Sequence, residues 1–296
     1  MNVVLKPLDN TLWVYIPLEK PMIEVKASDQ PPAPLTDKAT EKTNIDFIDG
    51  NFENGTFKIE YDIGKSKKYG ADFGYSSALS EEYQTKQRNA FTSIYRAYVD
   101  VEEVPGQGIL KKVEGDVDYE GSQKNLTHKT LAHAYVKTEK VPDFFVVVIA
   151  DISTGLERKI TFYFSDLKRS MTDQFFYEEY AKRIIADNPV GNKSIVGDRE
   201  GKHLDIQEET WPNFLTKQIL NRIRFRYLLS EFPPSDNPED EILKIVNETT
   251  SAYGFEDFQS VELNDLHTDK KYLFDKSQLK TFVGQTGRVR EGNLSK

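Results

Sequence analysis

Asp151, Glu157 and Lys159 are the residues whose types and spacing could do chemistry together. They fall on two apolar-rich segments separated by Ser153, Thr154 and Gly155. If the turn centres on Thr154, Asp151 stands opposite Glu157 and Lys159 follows two residues on. Strand alternation then predicts all three on one face. Two adjacent carboxylates can hold a divalent metal through their oxygens, and a bound metal lowers the pKa of water and stabilises phosphoryl charge. A one-residue slip of register would send Asp151 to the opposite face.

An Asp followed by Glu-x-Lys on the adjacent strand resembles the active site of the PD-(D/E)xK nuclease superfamily. The resemblance is confined to this hairpin. It implies magnesium or manganese held by Asp151 and Glu157, with Lys159 positioning or activating the attacking water. Pro142 and Asp143 supply a literal Pro-Asp, but the expected register puts Asp143 at the far end, opposite Ser165. The competing reading is a solvated cluster of charges at a hairpin tip, a common surface feature. It is preferred here, because Lys159 and Arg158 alone offer positive charge near the tip of an acidic chain.

Other motifs fall short. Gly64, Lys65 and Ser66 match the end of a phosphate loop, but Ile59 stands where its first glycine belongs; residues 197–202, GDREGK, have no strand before them. Both read as surface loops. Asp116, Asp118, Glu120 and Gly121 open like a calcium loop that closes on Thr127 instead of Glu. His128, His133, His203 and His267 lack metal-ligand spacing. No serine sits in a G-x-S-x-G elbow. Lys217, Arg222, Arg224 and Arg226 make one helix locally basic, and a solvated or salt-bridged face is the better account.

The elements that must position these residues centre on residues 141–169, the longest apolar run. Strands at 143–152 and 156–165 form an antiparallel hairpin, with Arg158, Ile160, Phe162 and Phe164 on one face and Glu157, Lys159, Thr161 and Tyr163 on the other. A third strand is expected at 130–139. Earlier, 51–62 reads as a strand and 80–98 as a helix capped by Ser80. Later, helices are expected at 170–186, 210–232 and 237–253, the last with an Asn237 cap, Pro238 at its first position and Gly254 beyond its end. Residues 12–25 carry Pro17 and Pro21, which argue for an edge strand or an arm. Residues 27–44 are Pro-rich and poor in apolar side chains, which reads as a linker.

The chain has 296 residues, 38% of them hydrophobic, so it can bury a substantial core. A net charge of -9 argues against nucleic acid or anionic membrane as general partners. No cysteine is present, which excludes disulfides and thiolate chemistry. No leader or spanning segment is evident in the sequence, so a cytoplasmic protein is expected.

The expected fold is α+β: a mainly antiparallel sheet centred on the 143–152/156–165 hairpin, with a helix-rich C-terminal half. The expected division is an arm and linker at 1–44, a sheet-rich domain at 45–169, a helix-rich region at 170–283 and a mobile tail at 284–296. The expected function is a non-catalytic structural or interaction subunit, with a protein partner or a second copy bound through the N-terminal arm and no cofactor. A metal-dependent nuclease using Asp151, Glu157 and Lys159 is the alternative, and a small-ligand binding domain is the third reading.

Overall fold

The computed structural model describes residues 3–27, 40–68, 75–98, 141–174, 177–228 and 237–279. The chain is mixed α and β, with parallel and antiparallel strand pairs. No helix among the described residues is long and apolar enough to cross a membrane. In chain order the strands are β1 (Val4–Leu8), β2 (Thr11–Leu18), β3 (Ile23–Ala27), β4 (Thr40–Glu53), β5 (Thr56–Lys68), β6 (Tyr75–Leu79), β7 (Phe144–Asp151), β8 (Leu156–Tyr163), β9 (Ile185–Ala186), β10 (Val190–Gly191), β11 (Ser260–Asp265) and β12 (Lys270–Asp275). The helices are α1 (Glu81–Tyr98), α2 (Phe164–Met171), α3 (Tyr177–Arg183), α4 (Trp211–Leu228), α5 (Pro238–Ala252) and α6 (Lys276–Leu279).

The chain divides into two compact units, each made of two separate stretches: Met1–Ala27 with Tyr75–Glu209, and Ser28–Gly74 with Thr210–Lys296. These boundaries differ from the expected 1–44, 45–169 and 170–283. The strand expected at 130–139, the calcium-like loop at 116–127, His128, His133 and the tail at 284–296 lie outside the described residues.

In the first unit the sheet runs β1-β2-β7-β8-β10, with β9 also on β8. The expected arm is therefore strand throughout much of its length: β1 and β2 join this sheet, β3 pairs with β6 apart from it, and β2 lies inside, parallel to β7 and almost wholly buried. Pro17 is tolerated there because it falls past Tyr15, the last residue paired with β1, where one flank of β2 is free of that ladder. Both faces of β7 are covered. On one, Phe145, Val147 and Ile149 pack with Leu12, Val14, Ile16, Ile160, Phe162 and the apolar stripe of α1, Phe91, Ile94 and Tyr98. On the other, Val146, Val148 and Ala150 pack with Trp13, Tyr15 and Ile195. Ser80 caps α1, its Oγ accepting from the Tyr83 N–H at 3.3 Å. β8 ends at Tyr163, not Ser165, because Phe164 and Leu167 bury one side of a helix there rather than continue the alternation. Arg183 on α3 reaches back to Asp166 of α2 at 3.2 Å.

In the second unit the order is β12-β11-β5-β4, with β5 parallel to β11. The single strand expected at 51–62 is the end of β4, a turn at Asn54 and Gly55, and the start of β5. Both turn residues take positive φ, 51° and 77°, the geometry that an Asn-Gly pair supplies for a tight hairpin. Gly64, Lys65 and Ser66 pair with Asn44, Thr43 and Lys42, so the phosphate-loop lookalike is strand rather than loop. Phe57, Ile59, Tyr61, Val261 and Leu263 are buried on one face. Tyr61 donates to Glu239 at 3.0 Å, tying β5 to the start of α5. The basic residues of α4 serve their own unit: Arg226 pairs with Glu241 at 2.7 Å, and Arg224 donates to the Ile48 carbonyl at 3.0 Å. Asn237 caps α5 as expected, accepting from the Glu239 N–H at 3.2 Å.

Candidate functional site

The β7–β8 register decides what Asp151, Glu157 and Lys159 can do. Asp151 pairs with Leu156, Glu157 with Ala150 and Lys159 with Val148. The pairing is thus one residue off the expected register, the turn lying between Ser153 and Thr154. Glu157 and Lys159 share the face of Val148 and Ala150, and Asp151 lies on the opposite face with Ile149. The expected three-residue cluster is corrected accordingly. Asp143 stands next to the Phe144–Tyr163 pair, and its carbonyl accepts from the Phe164 N–H.

Asp151 is fully buried and shapes the turn. Its Oδ1 accepts from the Ser153 N–H at 3.0 Å, the Ser153 hydroxyl at 2.6 Å and the Thr154 N–H at 3.0 Å. Its Oδ2 accepts from the Thr154 hydroxyl at 2.6 Å and from the Met22 N–H at 3.0 Å. One carboxylate therefore closes the hairpin and pins the chain that leaves β2. Burial works to raise its pKa, but the hydrogen bonds from Ser153, Thr154 and Met22 outweigh it and bring it to about 2. With both oxygens engaged by donors, and Glu157 across the sheet, these residues do not fit a magnesium or manganese ion. No group of three or more His, Asp or Glu side chains among the described residues is arranged to hold one.

On the other face the structure assembles a cluster that spacing did not predict. The segment after β10 crosses the sheet face of Tyr15 and Val148 as a strap. The His203 ring is buried in it, with Nδ1 2.7 Å from Asp198 Oδ2 and Nε2 2.8 Å from Glu157 Oε2. Asp198 also accepts from the N–H groups of His203 and Glu200. Burial tends to raise the Asp198 pKa, but these bonds and the His203 ring hold it near 2. Tyr15 donates to the Asp198 carbonyl at 2.5 Å, and its ring meets His203 edge-on. Burial and the charges of Asp198 and Glu157 push its phenol well up. Trp13 donates to the Gln207 carbonyl at 2.9 Å, and Lys6 to that of Gly201. Gly201 has a φ of 64°, and a Cβ there would lie 2.9 Å from the Tyr15 ring, so glycine alone fits. The arrangement is a clamp. Each His203 nitrogen faces a carboxylate on opposite sides of the ring, which leaves neither nitrogen open to a substrate and prevents the two acids from chelating one ion. Glu157 is spent in this clamp, and Lys159 lies 3.7 Å from Asp187.

Two carboxylates held this low predict an acid limb in stability. Both folded pKa values lie below the ordinary 3.8. Their contribution is therefore present above that value and is lost as pH falls from it through about 2. Each should account for roughly 2 kcal/mol. Urea titrations between neutral pH and pH 2 should show this loss, and Asp151→Asn should lose less over the same range.

An open groove of about 780 Å³ lies in the first unit, lined by Lys20, Ile23, Val25, Glu24, Glu81 and Lys86. Val25 is 69% exposed there. Comparison of the chain with protein-family models, with curated proteins and with solved structures found no match in any of the three.

Proposed function

We propose that the protein is a non-catalytic structural or protein-interaction subunit of a larger assembly. The observation that carries this reading is the employment of its reactive-looking groups. Asp151, Glu157, Asp198 and His203 each hold the chain's own loops in place, as described above, and are not turned toward a substrate. Of the N-terminal arm expected to carry the partner, β2 is buried inside its own sheet, so the part that supports such a contact is β1, the half-exposed edge strand. Apolar surface is also offered beside the β7–β8 turn, where Val190 and Val196 are 58% and 56% exposed. Edges with exposed apolar side chains are where other chains dock.

The test has two arms. Light scattering of the native protein, with recovery of co-purifying chains, should give a mass above that of one chain, and Val190→Asp with Val196→Asp should reduce it without lowering the unfolding temperature. A single-chain mass with nothing bound would count against the reading. Incubation with single- and double-stranded nucleic acid and magnesium or manganese should give no cleavage. Cleavage abolished by both Glu157→Gln and Lys159→Ala would promote the nuclease reading instead. The groove between β3 and the start of α1 is the specific observation favouring the third reading, a small-ligand site.

A further inference from the structure

The main sheets of the two units share a four-strand wiring, β3, β6, β9 and β10 of the first having no counterpart among the described residues of the second. In each, two antiparallel strands joined through a tight turn come first: β1 and β2 around Asp9 and Asn10, β4 and β5 around Asn54 and Gly55. Asp9, like Asn54 and Gly55, has positive φ. The chain then leaves, passes through helix, and returns as a strand parallel to the second: β7 on β2, β11 on β5. An antiparallel fourth strand follows, β8 or β12, and runs straight into a helix at Phe164 or Lys276.

The turn between third and fourth strands repeats at the level of atoms. Asp151 is the last residue of β7 and Asp265 the last of β11; Asp151 pairs with Leu156 and Asp265 with Lys270, so the loops 152–155 and 266–269 are of equal length. Each aspartate accepts from the N–H groups two and three residues on, Ser153 and Thr154 in one unit, His267 and Thr268 in the other. Each also takes the threonine hydroxyl at 2.6 Å. The next residue is left-handed in both, Gly155 at 76° and Asp269 at 55°. Both aspartates are buried.

A short hairpin alone is common. The combination of tight first hairpin, parallel return, Asp-x-x-Thr turn and immediate helix is a much longer coincidence. We infer that the two units are copies of one β-β-α-β-β-α module, threaded alternately by the chain, and that the Asp-x-x-Thr turn is an exchangeable part of it. The copies differ on the sheet face away from the helices. In the first unit that face carries Trp13, Tyr15, Val146, Val148 and Ala150 along β2 and β7 and lies under the strap clamped by His203. In the second, Lys58, Glu60, Glu262 and Asn264 occupy it, joined by pairs such as Asn264 to Glu60 at 3.0 Å.

The exchange is tested in the full chain by giving the second unit the turn of the first: Leu266→Ile, His267→Ser and Asp269→Gly, with Asp265 and Thr268 kept. The direction matters, because a side chain at Gly155 would meet the Asn192 carbonyl at 2.9 Å in the strap. The readouts are amide hydrogen exchange across β11 and β12 and the unfolding temperature, with Thr268→Val as the comparison. The exchanged turn should leave protection unchanged and the unfolding temperature within about 2 °C, whereas Thr268→Val should lower it by about 3–6 °C. Loss of protection by the exchanged turn as large as that from Thr268→Val would overturn the inference. So would a Thr268→Val variant indistinguishable from the wild type, since the shared turn would then hold nothing.

Discussion

Phe162→Ala is expected to destabilise the first unit by about 3–5 kcal/mol. The ring is fully buried. It stacks on Phe145 across the β7–β8 ladder with centroids 5.6 Å apart, and Phe91 of α1 meets its edge at 4.9 Å. Removing it takes away the lost transfer energy and leaves a hole between a strand and a helix that are both held by other contacts, so collapse is limited. One tryptophan lies in each unit, Trp13 and Trp211, so a Trp211→Phe background lets Trp13 fluorescence follow the first unit alone. A loss below about 1 kcal/mol would mean that this face of the hairpin is not core.

Asp151→Ala should be of similar size, about 3–5 kcal/mol, for a different reason. The substitution removes little volume. It strands the Met22 N–H, which is buried, together with the N–H and hydroxyl groups of Ser153 and Thr154. Asp151→Asn keeps one acceptor oxygen and turns an NH2 toward donors, so it should fall between wild type and alanine. The contrast with Glu157→Gln separates structure from catalysis. Glu157 is partly exposed at the clamp, and a glutamine of the same length would still reach His203. A metal-dependent enzyme would lose activity with either residue; a turn-forming aspartate loses stability when Asp151 alone is changed. The Trp13 transition in urea measures both.

Much of the local structure was legible. The alternation at 157–163 assigns its faces correctly, because one side carries Ile160 and Phe162 and the other Glu157 and Lys159. The cap and first turn of α5 are written in Asn237, Pro238 and Glu239. What alternation does not carry is register: a turn one residue longer or shorter leaves the same pattern on each strand while exchanging faces between them. Here the Asp151 carboxylate fixes the count by gathering Ser153 and Thr154 and leaving Gly155 to the left-handed position. Asn54-Gly55 is a local hairpin signal that the alternation running across 51–62 masks. The clamp had no local signal, since Glu157 and His203 stand 46 positions apart in a loop that is otherwise polar. Prolines at 17 and 21 pointed away from an interior strand because the cost of a missing N–H depends on which neighbour reaches that position.

The alternate threading of the two units sets a timetable for synthesis. Thr56 and Ser260, adjacent on β5 and β11, are 204 positions apart. β2 and β5 leave the ribosome early, and each must wait for its parallel partner, one for 144–151 and the other for 260–265. Through that interval both present open strand edges, the kind that recruit foreign strands. Neither main sheet can be completed in the order in which its strands are made. Loss of the stretch after 260 would spare every strand of the first unit's main sheet yet leave β5 with β4 alone.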